Sequence, residues 1–198
     1  MTSPSRPGGR TARTRQAVLD AVADLLVAGG LAGVDLGEVA RVAGVGRTTV
    51  YRRWGTVHAL VADLVRDMID TSSPRSDLGS LDADLRANGR LVSRTLADPR
   101  QGPLFAAFVA AAAGDDTVAE LLRGFYDARL AEWAPCVVAA VERGELPAGT
   151  DPVAVVAAVS APLYYRLLTR AERPTRAHGD RAAAAAAAAA RAGVFAGA

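Results

Sequence analysis

Eleven residues, Gly44-Val45-Gly46-Arg47-Thr48-Thr49-Val50-Tyr51-Arg52-Arg53-Trp54, carry three arginines, two threonines and a tyrosine and no acid. These side chains share one chemistry. A guanidinium grips guanine O6 and N7 through two N–H donors, threonine meets a thymine methyl or a phosphate, and a tyrosine hydroxyl donates to a phosphate oxygen. A helix that only covers a core mixes signs on its wet face, because like charges spaced along it repel. This one is arranged for a polyanion. The net charge is only +2, but its distribution is uneven. Residues 1–60 hold Arg6, Arg10, Arg13, Arg15, Arg41, Arg47, Arg52 and Arg53 against Asp20, Asp24, Asp35 and Glu38, whereas acids slightly outnumber arginines in the remainder. A basic front on a nearly neutral body is the electrostatic footprint of a nucleic-acid or anionic-surface binder.

Such a segment needs elements that hold it. Asp35 followed by Glu38 has the form of a capping box, which starts a short helix over about Leu36 to Ala43. Gly44-Val45-Gly46 then makes a tight turn, and a second short helix runs to Arg53 or Trp54. Two short helices on a glycine turn form a helix-turn-helix. Ala40 is small where the second helix crosses, Gly44 supplies the positive φ of the turn, and Val39, Val45 and Val50 supply the apolar contacts. An earlier helix carries Val18, Leu19, Val22, Leu25 and Leu26 on one face and stops at Gly29-Gly30. After Gly55, Thr56 caps a helix with Leu60, Val61, Leu64, Val65 and Met68 on one side.

The stretch TSSPRSDLGS, residues 71–80, is rich in turn formers and reads as a linker. Beyond it, helical patterns cover about 80–98, 101–113, 116–144, 151–171 and 178–195. Pro135 and Pro162 interrupt two of these patterns and are expected to kink them. Asp151-Pro152 is an N-cap followed by proline at the first helical position. The nine alanines 182–190 favour a helix, since alanine is the best helix former. The expected fold is all-α. Enzymatic chemistry finds little support: His58 and His178 lack metal-spaced partners, Cys136 has no evident base, and Asp115-Asp116 reads as a helix cap. No metal or cofactor is expected. No apolar run is long and bulky enough to span a bilayer, and the arginine-bearing N-terminus lacks the apolar segment of a secretory signal, so the expected location is the cytoplasm.

The segments TRQAVLDAV and GVDLGEVARVAGVGRTTVYRRWGTVHALV resemble the N-terminal DNA-binding domain of the TetR family of bacterial transcriptional regulators, over about residues 13–65. The rest resembles the family's ligand-binding and dimerisation domain more loosely. The resemblance implies a flexible arm over 1–12, a three-helix DNA-binding domain over 13–55, and a helical body over 56–198 that begins with a connecting helix at 56–70. It places Arg47, Thr48 and Thr49 at base edges and flanking phosphates, Tyr51 and Arg53 on the DNA backbone, and Arg15 near a phosphate. Arg52 faces more toward solvent and adds field. Three positions depart from the family pattern: Gly46 replaces a capping serine or threonine, Val34 a threonine, and Val57 a phosphate-directed lysine.

Function then divides three ways. The favoured reading is a repressor released from double-stranded operator DNA by an apolar or amphipathic small molecule. A regulator without such an effector comes second, and a helical enzyme with a basic face last. The scattered aromatics of the body, Phe105, Phe108, Phe125, Trp133 and Tyr164, with Tyr126 and Tyr165, are the candidate ligand contacts, although aromatics at helical spacing also make cores. One helix-turn-helix covers too few base pairs to find a single genomic site, which calls for a homodimer on a palindromic operator. Residues 153–168 are apolar around much of their helix and the alanine-rich segment offers a smooth surface. Val155, Ala158, Val159, Pro162, Ala186 and Ala190 are therefore the candidate dimer contacts, in a two-fold four-helix interface.

Overall fold

A computed structural model describes residues 7–71 and 78–197. Nine α-helices follow one another among these residues: α1 (Pro7–Gly29), α2 (Leu36–Val42), α3 (Arg47–Arg53), α4 (Val57–Asp70), α5 (Leu81–Ala97), α6 (Gln101–Ala112), α7 (Asp116–Glu142), α8 (Pro152–Arg170) and α9 (Arg176–Arg191), with a 3-10 turn at Leu31–Gly33. The extended pairing among the described residues is one isolated bridge, Thr150 to Ala196. The all-α fold is thus observed. The expected arm differs: α1 begins at Pro7, so residues 7–12 are its first turns. Residues 1–6 and most of the expected linker, 72–77, lie outside the described residues. Pro135 and Pro162 lie within α7 and α8, and helix continues through both.

The chain divides into two compact units. Among the described residues, those from Pro7 to Thr71 group with Ala107–Arg123, and the others form the second unit. By this grouping α4, the end of α6 and the start of α7 fall in the same unit as the helix-turn-helix.

Local signals set the first unit. Asp35 Oδ1 accepts from the Gly37 and Glu38 N–H groups and starts α2, while the Glu38 carboxylate turns to Arg41 instead of closing a capping box. Gly44 takes φ +64°, and the Val45 N–H reaches back to Ala40 O at 3.0 Å, the six-to-one bond that ends a helix on a left-handed glycine. Gly46 gives α3 no side-chain cap, and Thr56 caps α4 through Ala59 N–H. Val18, Leu19, Val22 and Leu26 of α1 are buried with Val39, Ala40, Val50, Leu60 and Val61.

In the second unit α5, α8 and α9 pack on one another. Alanine on α9 lets backbones approach, and glycine takes this further. A Cβ at Gly89 of α5 would lie 2.5 Å from Gly179 O of α9, and the reciprocal Cβ at Gly179 would strike Gly89 O, so the two helices cross backbone to backbone. This crossing corrects the expected dimer surface. Val155, Val159, Ala186 and Ala190 are buried in the chain's own core with Leu81, Leu85, Trp133 and Val137, and Ala158 packs half-buried against it. Pro162 is exposed. An apolar helix has more than one apolar face, and here Val155, Val159, Ala186 and Ala190 occupy the inner one. The outer face of α8 leaves Val153, Tyr165 and Leu168 exposed by 45%, 59% and 40%. By length and composition α8 could cross a bilayer, yet it carries Val155, Val156, Val159 and Leu163 into the core of this unit.

Candidate nucleic-acid interface

α3 is amphipathic in a specific way. Val50 is fully buried and Trp54, one turn on, is 9% exposed, so these two anchor the helix. Thr48 and Arg52 fall opposite Val50, as a helical repeat requires, with Tyr51 beside them, whereas Arg47, one turn before Val50, stands on the anchor's side; all four are exposed, and so is Arg53. Thr49 is half-buried. The Arg47 guanidinium folds back over the first turn of α2, where a Cβ on Gly37 would lie 2.7 Å from Arg47 Nη2. It occupies space that only glycine leaves open, at the end of a flexible stem.

Beside this face a groove of about 480 Å³ is lined by Thr11 and Thr14 of α1, the turn at Gly44–Gly46, and Thr49, Arg52 and Arg53. Two guanidinium groups, three hydroxyls and a glycine turn form a wall suited to a sugar–phosphate backbone. Thr11 and Thr14 were not among the residues singled out from sequence. Their one-turn spacing is a usable signal only once the helix is known to start at Pro7. Arg52, expected to face solvent, lines this groove.

Arg15 has a different setting from the one expected. Its Nε donates to Asp63 Oδ2 at 3.1 Å, its Nη2 to Asp63 Oδ1 at 2.9 Å, and its Nη1 to Asp67 Oδ1 at 2.5 Å. The guanidinium is committed to two carboxylates one turn apart on α4. Asp63 Oδ2 also accepts from the Trp54 indole at 3.0 Å. Desolvation pushes the Asp63 carboxyl up, but the bonds from Arg15 and Trp54 outweigh it and hold it below the usual carboxylate range. The Arg15 guanidinium is raised, chiefly by its bond to Asp63. Elsewhere in this unit His58 Nε2 lies 2.9 Å from Asp115 Oδ2, and Asp115 Oδ1 caps α7 through Val118 N–H. Both residues thus have structural partners.

Of the candidate ligand contacts, Phe105, Phe125 and Tyr164 come together. Phe105 lies 5.5 Å from Phe125 and 6.0 Å from Tyr164, and Tyr126 closes the group at 5.4 Å from both Phe125 and Tyr164. Burial pushes the Tyr164 hydroxyl well above its ordinary value. Trp133 sits apart in the α5–α8–α9 core, and Phe108 groups with the first unit.

Residues 75–186 match the family model described as tetracyclin repressor-like, C-terminal domain. The chain belongs to the TetR family. It is 31% identical over 160 residues to the HTH-type transcriptional regulator AqdR of Rhodococcus erythropolis, covering 79% of this chain and 77% of that protein. Over 93 residues, 43% of this chain and 47% of the relative, it is 43% identical to the HTH-type transcriptional repressor LfrR of Mycolicibacterium smegmatis. The crystal structure of MexZ, a repressor of Pseudomonas aeruginosa, superposes with a TM-score of 0.68 at 21% identity over 93% of this chain and 98% of that one, a likeness of fold. This TetR-family chain is accordingly a helix-turn-helix transcriptional regulator that binds DNA, in a family of regulators and not of enzymes.

Because the folded Asp63 pKa is depressed, its stabilisation is present above the unfolded value near about 3.9 and is lost as pH falls through the folded one. Asp63→Asn is expected to cost about 1.5 kcal/mol at pH 7, the lower end for a hydrogen bond to a charged group because the pair is partly exposed. Denaturant titration is expected to show the gap to wild type closing as the pH is taken below about 4.

Proposed function

We propose that the chain is a repressor acting in the cytoplasm as a homodimer on a palindromic operator. The observation that carries this is the exposed Thr48–Tyr51–Arg52 face of α3, set away from the buried Val50–Trp54 anchor, with Arg47 exposed at the first turn of the helix. In this reading Arg47 leaves its place over Gly37 and, with Thr48, meets base edges. Thr49, Tyr51, Arg52 and Arg53 take phosphates, and Arg15 serves as the strut that sets α1 against α4. The repressor named among the relatives supports the sign of regulation.

Dimerisation is assigned to the outer faces of α8 and α9. Exposed Val153, Ala161, Tyr165 and Leu168 make an apolar stripe on α8, and exposed Ala184, Ala185 and Ala188 make a smooth one on α9. Only 22% of the apolar window of α8 is buried within the chain, which leaves an apolar face for a second copy to cover.

An apolar or amphipathic effector is assigned to the Phe105–Phe125–Tyr126–Tyr164 group, where the paired tyrosine hydroxyls could meet one polar function. An effector shifts the DNA-bound population only by preferring the state that does not bind. The edge-to-face packing of these rings on one another favours the second reading, a closed core in a regulator without a small ligand.

Arg47→Ala and Thr48→Ala are expected to relax base preference, at about 1–3 kcal/mol for a bidentate contact, while Tyr51→Phe weakens all sequences alike. Binding measured against a randomised operator library checks this, and unchanged preference in Arg47→Ala would remove α3 from the groove. Light scattering without DNA is expected to give twice the 20.4 kDa chain mass. Leu168→Arg is expected to return it to one, whereas Ala186→Arg disrupts the fold of the chain itself.

A further inference from the structure

We propose that Asp63 is a positioning residue for DNA binding, acting through Trp54 on Arg53. The proposal rests on the DNA-binding reading of α3 and adds a control point on α4, which carries none of the residues assigned to contact DNA.

Three contacts in series make the link. Arg15 grips both oxygens of Asp63, through Nε to Oδ2 and Nη2 to Oδ1, which fixes the carboxylate's rotation. The fixed Oδ2 accepts the Trp54 indole N–H at 3.0 Å, which fixes the ring about its long axis. The Arg53 guanidinium carbon then lies 4.9 Å from the centre of that ring, within the range of a cation–π contact. Among the described residues Arg53 has no carboxylate partner, so the ring face is its fixed neighbour, and Arg53 lines the groove beside α3. An arginine held this way before DNA arrives gives up less rotamer freedom on meeting a phosphate than one free in water. Core packing alone would bury Trp54 without choosing which edge of the indole faces α4. The hydrogen bond makes that choice.

The sign of the effect separates this from simple charge balance. Removing a carboxylate from a DNA-binding unit should, by charge alone, strengthen binding to a polyanion. Loss of the relay weakens it.

The test uses the full chain and a random-sequence DNA duplex, because a phosphate contact is read without regard to sequence. The affinity is followed as a function of KCl concentration, where each phosphate neutralised contributes about 0.9 to the slope of log K on log salt. Asp63→Asn, Trp54→Phe and Arg53→Ala are each expected to weaken binding and flatten the slope by about 0.9 per head. The Asp63→Asn/Arg53→Ala double variant is expected to be no flatter than Arg53→Ala. Trp54→Phe leaves the Arg15–Asp63 pair intact, and it decides the matter if Asp63→Asn does not fold. Unchanged slopes in Asp63→Asn and Trp54→Phe, stronger binding by Asp63→Asn, or additive losses in the double variant would overturn the proposal, whatever the change in melting temperature. Wild-type protein that fails to bind the duplex overturns the DNA-binding reading and this inference with it. Wild-type binding with unaltered variant slopes overturns this inference alone.

Discussion

One carboxylate ties the DNA-binding unit together. Asp63 receives the guanidinium of α1 on one side and the indole that ends α3 on the other, while standing on α4. Short helices are marginal by themselves, and α3 has seven residues and no side-chain N-cap. Its orientation has to come from tertiary contacts. Val50 and Trp54 supply the apolar part, and the Trp54–Asp63 bond supplies direction. The arrangement also explains how a basic unit tolerates two aspartates facing it: they neutralise an internal arginine and leave Arg47, Arg52 and Arg53 as the outward field.

The second unit solves a different problem, that of packing helices made largely of alanine, valine and leucine. Small side chains bury little area each, so the stabilisation must come from closeness. The Gly89–Gly179 crossing and the buried alanines of α9 achieve that closeness, at the cost of a surface with little polar character on the other side of α8. A second copy of the chain would cover that surface.

Much of this was legible in the sequence where the signal is local. Caps at Asp35, Thr56 and Asp151, the positive φ of Gly44, and the 3.6-residue periodicity of α1 and α4 fix most helices to within a few residues. What failed was phase and distance. α8 and α9 are apolar around most of their circumference, so periodicity gives no inner face, and Val155, Val159, Ala186 and Ala190 were assigned outward when they point inward. Arg15 and Asp63 lie 48 residues apart, and no spacing rule joins them, so the sequence leaves Arg15 near a phosphate and not on a carboxylate. Thr11 and Thr14 give no signal in the sequence, because glycine and arginine near the N-terminus hide the start of α1. Among the aromatics, composition did not distinguish the rings that meet one another from Trp133, which completes a core.

A homodimer on a palindromic operator would present two copies of α3 together to one face of a DNA duplex. Hydroxyl-radical footprinting of the DNA upstream of the protein's own gene tests it most directly. Two protected patches on the same face, their centres separated by about 34–36 Å or a multiple of it, are the expected result. A single short patch, or no protection at protein concentrations where the duplex is bound, would contradict the account.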